Sequence, residues 1–194
     1  VSQAAVSRVF TPGASASRKT AYKVRKAAGE LGYRPNILAR SLITGKSRII
    51  GLIVAYLENQ FYPEAIEKLS KALQLNGYHV LVFMASNDER TNQTVIDELL
   101  DYQADGIITA SVGMSNALTS RCEAADIPII LFNRLQDDLR LSGVSSDNFL
   151  GGYKLADFLI SSGNKRIAHI AGWAGASTQR DREAGFLSRL SEAG

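Results

Sequence analysis

The run IIGLIVA at residues 49–55 decides the fold. It contains no charged side chain and no polar one. A strand with one wet face alternates apolar and polar residues, whereas a near-continuous apolar run is expected of a parallel strand covered on both faces. Toward the C-terminus the pattern changes period and changes back. Residues 63–76 read as a helix with Ala65, Ile66, Leu69, Ala72 and Leu73 inward, and 80–85 as a second strand. A helix over 91–103 buries Val95, Leu99 and Leu100, and a strand follows at 106–110. Then come a helix at 115–125, strands at 129–132 and 144–146, a helix at 149–162, a strand at 167–171 and a helix at 177–193. This strict alternation of strand and helix predicts an α/β protein with a doubly wound parallel sheet.

The chain has 194 residues, enough for one large domain or two small ones. Hydrophobic residues make up 45% and charged residues 21%, the balance of a soluble globular protein with a core. No apolar run reaches the roughly 18 residues a membrane span needs. The N-terminus shows no hydrophobic region of the signal-peptide kind. Cys122 is the single cysteine, so no internal disulfide forms, and a reducing cytoplasm is the expected setting.

Upstream of residue 49 the character differs. The net charge of +3 conceals an asymmetry, because residues 1–48 hold ten Lys and Arg against Glu30 alone. A basic head on an acidic body points to a head that touches a polyanion. A solvated basic tail is the alternative, and the helical apolar periodicity of the head speaks against it. In VSQAAVSRVF, residues 1–10, Ser2 is a good N-cap and Val6, Val9 and Phe10 form one apolar stripe. Gln3, Ala4, Ser7 and Arg8 face the other way. Such a face suits the major groove, where Gln pairs with adenine and Arg with guanine. Residues 11–16 form a loop, and Ser17 caps a second helix running to about Leu31. Its inner face is Ala21, Val24, Ala28 and Leu31, its outer face carries Lys19, Lys23 and Lys26, and Gly32 stops it. Gly29 reads as a point of close packing. After Pro35 one short helix's worth of residues remains, too short to be stable alone in water.

In open α/β sheets, ligands bind outside the carboxyl ends of the strands. The residues there include Asn59, Phe61, Tyr62, Asn87, Asp88, Ser111, Asn133, Arg134, Asp147 and Asn148, then Trp173, Thr178, Arg180 and Arg182. Amides, carboxylates, guanidinium groups and aromatic rings suit a small polyhydroxylated ligand. Asp147 also reads as a cap for the helix that follows, and Arg182 as an internal ion-pair partner. No phosphate-binding glycine motif, no G-x-S-x-G and no Cys/His metal spacing is present, so no catalytic residue, cofactor or metal is expected. His169 lies in an apolar stretch, where a packed histidine is expected.

Residues 1–55 resemble the lac repressor / purine repressor family of bacterial transcription regulators. VSQAAVSRVF is similar to that family's recognition helix, SRKTAYKVRKAAGELGYRP to its third helix and exit, and NILARSL followed by IIGLIV to its hinge helix and first core strand. The resemblance implies a partial helix-turn-helix head with hinge helix (35–45) over 1–48. It implies an effector-binding core of the periplasmic-binding-protein type over 49–194, with a first subdomain to about 147 and the start of a second from about 148. It also implies a chain lacking the family's first helix and most of the second subdomain. The expected partners are a near-palindromic double-stranded operator, a small-molecule effector and a second copy of the chain, with no membrane. The DNA-facing set is Ser2, Gln3, Ala4, Ser7, Arg8, Ser17, Lys19, Thr20, Tyr33, Asn36, Ala39 and Leu42, the last as a minor-groove wedge. The effector set is Asn59, Phe61, Tyr62, Ser111, Asn133, Arg134, Asp147, Trp173, Thr178 and Arg180. The expected function is a ligand-controlled repressor. The alternative is a sugar-binding receptor of the same fold without DNA binding.

Overall fold

A computed structural model describes residues 1–11, 13–35, 45–55, 57–85, 89–112, 115–136 and 141–194, with only the backbone at 89–91 and 116. The chain divides into two compact units, Val1–Ser47 and Arg48–Gly194.

In the first unit, α1 spans Gln3–Phe10 and α2 spans Arg18–Glu30. The Ser2 hydroxyl accepts the Ala5 N–H at 3.3 Å and that of Ser17 accepts the Thr20 N–H at 3.2 Å, so both helices start on side-chain caps. Past the end of α2, Gly32 takes a left-handed φ of 63°. The Tyr33 N–H then reaches back to the Ala28 carbonyl at 2.8 Å and the Gly32 N–H to that of Gly29 at 3.4 Å. This pairing satisfies carbonyls the helix leaves open. Val24 is buried on the inner face, and the Phe10 and Tyr33 rings meet at 5.8 Å. Two expectations fail here. Leu31 is 82% exposed, because the eight-residue α1 is the one described helix of this unit beside the thirteen-residue α2 and does not cover its far end. Gly29 faces open space, with nothing for a Cβ to meet. Of the hinge expected over 35–45, residues 36–44 lie outside the described residues, and with them Asn36, Ala39 and Leu42.

The second unit is a five-stranded parallel sheet in the order β2-β1-β3-β4-β5. The strands are β1 Ile49–Val54, β2 His79–Met84, β3 Gly106–Ala110, β4 Ile129–Phe132 and β5 Ser142–Val144. The helices are α3 Phe61–Leu75, α4 Glu89–Asp101, α5 Asn116–Ala124, α6 Asn148–Ser161 and α7 Ser177–Ala193. β1 is covered on both faces, as its composition requires. Leu52 and Val54 pack with Tyr62, Ile66 and Leu69 of α3. Ile53 points the other way, into a core with Val95, Ile96 and Leu99 of α4 and Leu118 and Cys122 of α5. α3 begins two residues before the expected start, since a proline in a first turn costs no helical hydrogen bond. Ala72 is exposed rather than inward. β5 lies at 142–144 instead of 144–146, in register through Val144 opposite Phe132.

The expected strand at 167–171 is absent. An apolar run becomes a strand only beside a partner ladder, and no described strand pairs with it. Ile170 is accordingly 96% exposed, while the His169 ring rests 5.1 Å from Phe186 of α7. α6 and α7 cross at backbone contact: a Cβ at Gly152 would strike the Arg182 carbonyl, and one at Gly185 that of Phe149.

Candidate functional site

Two polar surfaces stand out, one in each unit. On α1 the side chains of Gln3, Ala4, Ser7 and Arg8 are all exposed, and Val6, Val9 and Phe10 are half-buried on the opposite side. The Arg8 Nε–H donates to the Ala4 carbonyl at 3.3 Å. Ser2, Ser17 and Lys19 are exposed, Thr20 is half-buried, and Tyr33 is 52% exposed. The Ser17 and Thr20 hydroxyls bond each other at 2.9 Å. The described face carries no carboxylate.

In the core unit, a cavity of about 500 Å³ opens at the carboxyl ends of the strands. It sits at the reversal of strand order, where β2 and β3 flank β1, the position open α/β sheets use for ligands. α3 supplies Phe61 and Tyr62, preceded by Asn59; the ends of β3 and β4 supply Ser111, Asn133 and Arg134. Asn59 Oδ1 accepts the Phe61 N–H at 3.0 Å and so shapes the entry to α3. Phe61 lies parallel to Phe132 at 5.8 Å and edge-on to Tyr62 at 5.2 Å, leaving it 47% exposed toward a ligand face. Beneath it the buried Tyr62 and Ser111 hydroxyls bond each other closely. Asn133 Nδ2 donates to Tyr62 Oη at 2.8 Å and to Ser111 Oγ at 3.2 Å. Ser111 and Asn133 both hold left-handed φ, 59° and 70°. For non-glycine residues that conformation is costly, and it clusters at functional sites.

The opposite wall comes from α7 and the segment before it, with Trp173, Ala176, Thr178 and Arg182. The Arg134 guanidinium stacks 4.4 Å over the Trp173 ring and donates to the Gly175 carbonyl at 2.9 Å. Asp147 and Arg180, expected here, do not line the cavity. Asp147 caps α6, its carboxylate accepting the Leu150 N–H at 2.8 Å. Arg180 is exposed on α7, turned away from Thr178 and Arg182, which share a face by their spacing of four. Ser146 and Ala176 are the additions, and Arg182, read from the sequence both as a residue of this edge and as an internal ion-pair partner, lines the cavity too. The helical spacing of four from Thr178 is the signal that separates Arg182 from Arg180.

Residues 47–194 match the family described as periplasmic binding proteins and sugar binding domain of LacI family. The chain belongs to this family. The resemblance to the lac repressor / purine repressor family and the expected core fold are thereby borne out. The sucrose operon repressor of Lactococcus lactis subsp. lactis is 39% identical over 172 residues, covering 89% of this chain and 53% of that protein. The sucrose operon repressor of Streptococcus mutans is 36% identical over 195 residues, covering 100% of this chain and 59% of its own length. The crystal structure of the lac repressor dimer bound to operator and the anti-inducer ONPF matches with a TM-score of 0.85 at 25% identity, over 100% of this chain and 59% of that one. This LacI-family chain thus spans little more than half the length of these relatives, which are transcription regulators. Among its described residues no group of three His, Cys, Asp or Glu gathers to hold a metal ion. No helix among them is long and apolar enough to cross a membrane. Burial pushes the Cys122 thiol up, so it stays protonated and is no activated nucleophile.

Proposed function

We propose that this chain belongs to a DNA-binding repressor, not an enzyme, whose grip on a near-palindromic operator is set by a small sugar effector in the cytoplasm. The observation that carries this reading is the cavity itself: an exposed aromatic face at Phe61 beside a cluster of hydroxyl and amide groups at Tyr62, Ser111 and Asn133. A sugar offers an apolar ring face and a fan of hydroxyls to match. The head through residue 48 reads DNA, with Gln3, Ala4 and Arg8 of α1 at base edges of a major-groove half-site. Ser2, Ser7, Ser17, Lys19, Thr20 and Tyr33 sit beside them. In a homodimer, the hinge residues Asn36, Ala39 and Leu42 meet the minor groove, with Leu42 as an apolar wedge. Effector binding shifts the core between two arrangements of its subdomains, and the operator responds only as far as the effector's affinities for them differ.

Sucrose is the first sugar to test, since two relatives are named sucrose operon repressors. The test selects the preferred duplex from a random library, then measures its binding by fluorescence anisotropy at several salt concentrations, with and without sucrose, glucose and fructose. Salt-dependent binding that one sugar shifts supports the reading. Sugar binding with no duplex affinity at any salt would make the chain part of a receptor instead.

A further inference from the structure

Arg182 lines the cavity from α7, yet its orientation is set from α6. Its Nε–H donates to Asn148 Oδ1 at 2.8 Å, and Asn148 is its one described side-chain hydrogen-bond partner. Asn148 is the first residue of α6 and only 5% exposed. Its amide nitrogen donates to the Ser146 carbonyl at 2.9 Å and to Ser145 Oγ at 3.1 Å. The partners fix which way the amide faces: the guanidinium only donates and the Ser146 carbonyl only accepts. One turn further along α6, Gly152 lets the Arg182 backbone rest directly on the helix. Arg182 is therefore held twice, by its main chain at Gly152 and by its side chain at Asn148.

The chain of bonds continues. Ser145 Oγ donates to the Asn133 carbonyl at 2.9 Å, and Asn133 Nδ2 donates to Tyr62 Oη at 2.8 Å. From Arg182 through Asn148 and Ser145 to the Asn133 main-chain carbonyl every donor points the same way, so each of these three bonds polarises the next, and the Asn133 side-chain amide carries the connection on to Tyr62. It joins the α7 wall of the cavity to the α3 wall. We propose that Asn148 is a positioning residue that aims the Arg182 guanidinium at the effector and ties it to the Asn133–Tyr62 cluster on the opposite wall. This rests on the effector reading above. With Nε held by Asn148, the terminal N–H groups of the fork remain to grasp a pair of vicinal hydroxyls or a sugar oxyanion. Neither Asp nor Ser at 148 combines the acceptor for Arg182 with the paired donors for Ser145 and Ser146.

The test has two readouts on the full-length protein. The first is proton exchange at the Arg182 Nε–H, followed by NMR and assigned by its loss in Arg182→Lys. It should be slow in the parent protein, fast in Asn148→Ala, and slow again in Asn148→Asp, which keeps an acceptor for Nε. The second is affinity for sucrose, glucose and fructose 1-phosphate, read by isothermal titration. Asn148→Ala and Arg182→Ala should each weaken the sugar that binds by about tenfold or more, the scale of leaving a polar partner unmet. The double variant should be no weaker than Arg182→Ala alone, whereas a merely structural Asn148 would give losses that add. Fast exchange in the parent protein, unchanged exchange in Asn148→Ala, or additive losses would each overturn the proposal. If no sugar binds, or Arg182→Ala leaves binding intact, the effector reading fails, and the exchange measurement alone decides whether Asn148 holds Arg182.

Discussion

The outward face of α1 and the cavity at the strand ends are both polar surfaces, but they are assembled differently. On α1 the whole face comes from one helix of eight residues, and its period sets which side chains share it. The cavity draws on the ends of β3 and β4, the start of α3, the turn before α6 and the first turns of α7. One surface needs only a helix to form. The other needs the sheet, its strand order and a crossing of two helices at glycine. Substitutions in the core should therefore damage the cavity far more than they damage the α1 face.

The largest effect is expected from Leu99→Ala. Leu99 is fully buried on α4 and packs beneath the sheet with Ile53 and Ile107. Emptying that site should cost about 2–5 kcal/mol of core stability. Urea unfolding should show a lower midpoint with an unchanged slope, and Trp173 should report a weakened effector response. A loss under about 1 kcal/mol would mean the core collapses onto the gap and the cavity depends less on its foundation than its construction suggests.

Next comes Arg8→Ala, which tests the α1 side. It should cost roughly 1–3 kcal/mol on the preferred duplex and relax the preference at one base position. An equal loss on random DNA would show that Arg8 touches only phosphate.

What could be read from the sequence follows the same division. Ser2 and Ser17 as caps, and Gln3, Ala4, Ser7 and Arg8 as one exposed face, needed nothing beyond helical spacing. The parallel sheet needed only the alternation of apolar runs with helices, whereas the order of its strands came with the structure. Eight of the expected cavity residues, from Asn59 to Thr178, do line it, because strand ends in this topology converge on one edge. Of the two readings of Asp147, the cap for the helix that follows is the one the structure shows. The failures lie where a residue's surroundings depend on another element. The run at 167–171 has strand composition and no described ladder to join, as β1 has on both sides. Leu31 has helical spacing and no neighbour long enough to bury it.

A smaller effect is expected at Lys19 and Lys23, exposed on α2. Replacing either by Ala should weaken binding about equally on all duplexes. The slope of log affinity against log salt should fall by roughly one unit for each phosphate that is no longer neutralised. An unchanged slope would reduce these lysines to a solvated face and leave base reading by α1 to carry the head's affinity.

The smallest effect is expected at Arg180, and it separates the two ways of building a surface. Arg180, assigned to the effector set from sequence, and Arg182, left out of it, are the same residue type on the same helix, two positions apart. On a helix two positions are about 200° of rotation, so the two side chains cannot serve one pocket. Thr178 and Arg182 both line the cavity, and Arg180 lies outside it. Arg180→Ala should leave sugar affinity within about twofold of the parent protein, the range of ordinary surface substitutions. Isothermal titration of both variants with the same sugar gives the comparison directly. A tenfold loss at Arg180 with none at Arg182 would rotate α7 by half a turn relative to the cavity. That rotation would also break the bond from Arg182 to Asn148 and undo the seat of its backbone on Gly152.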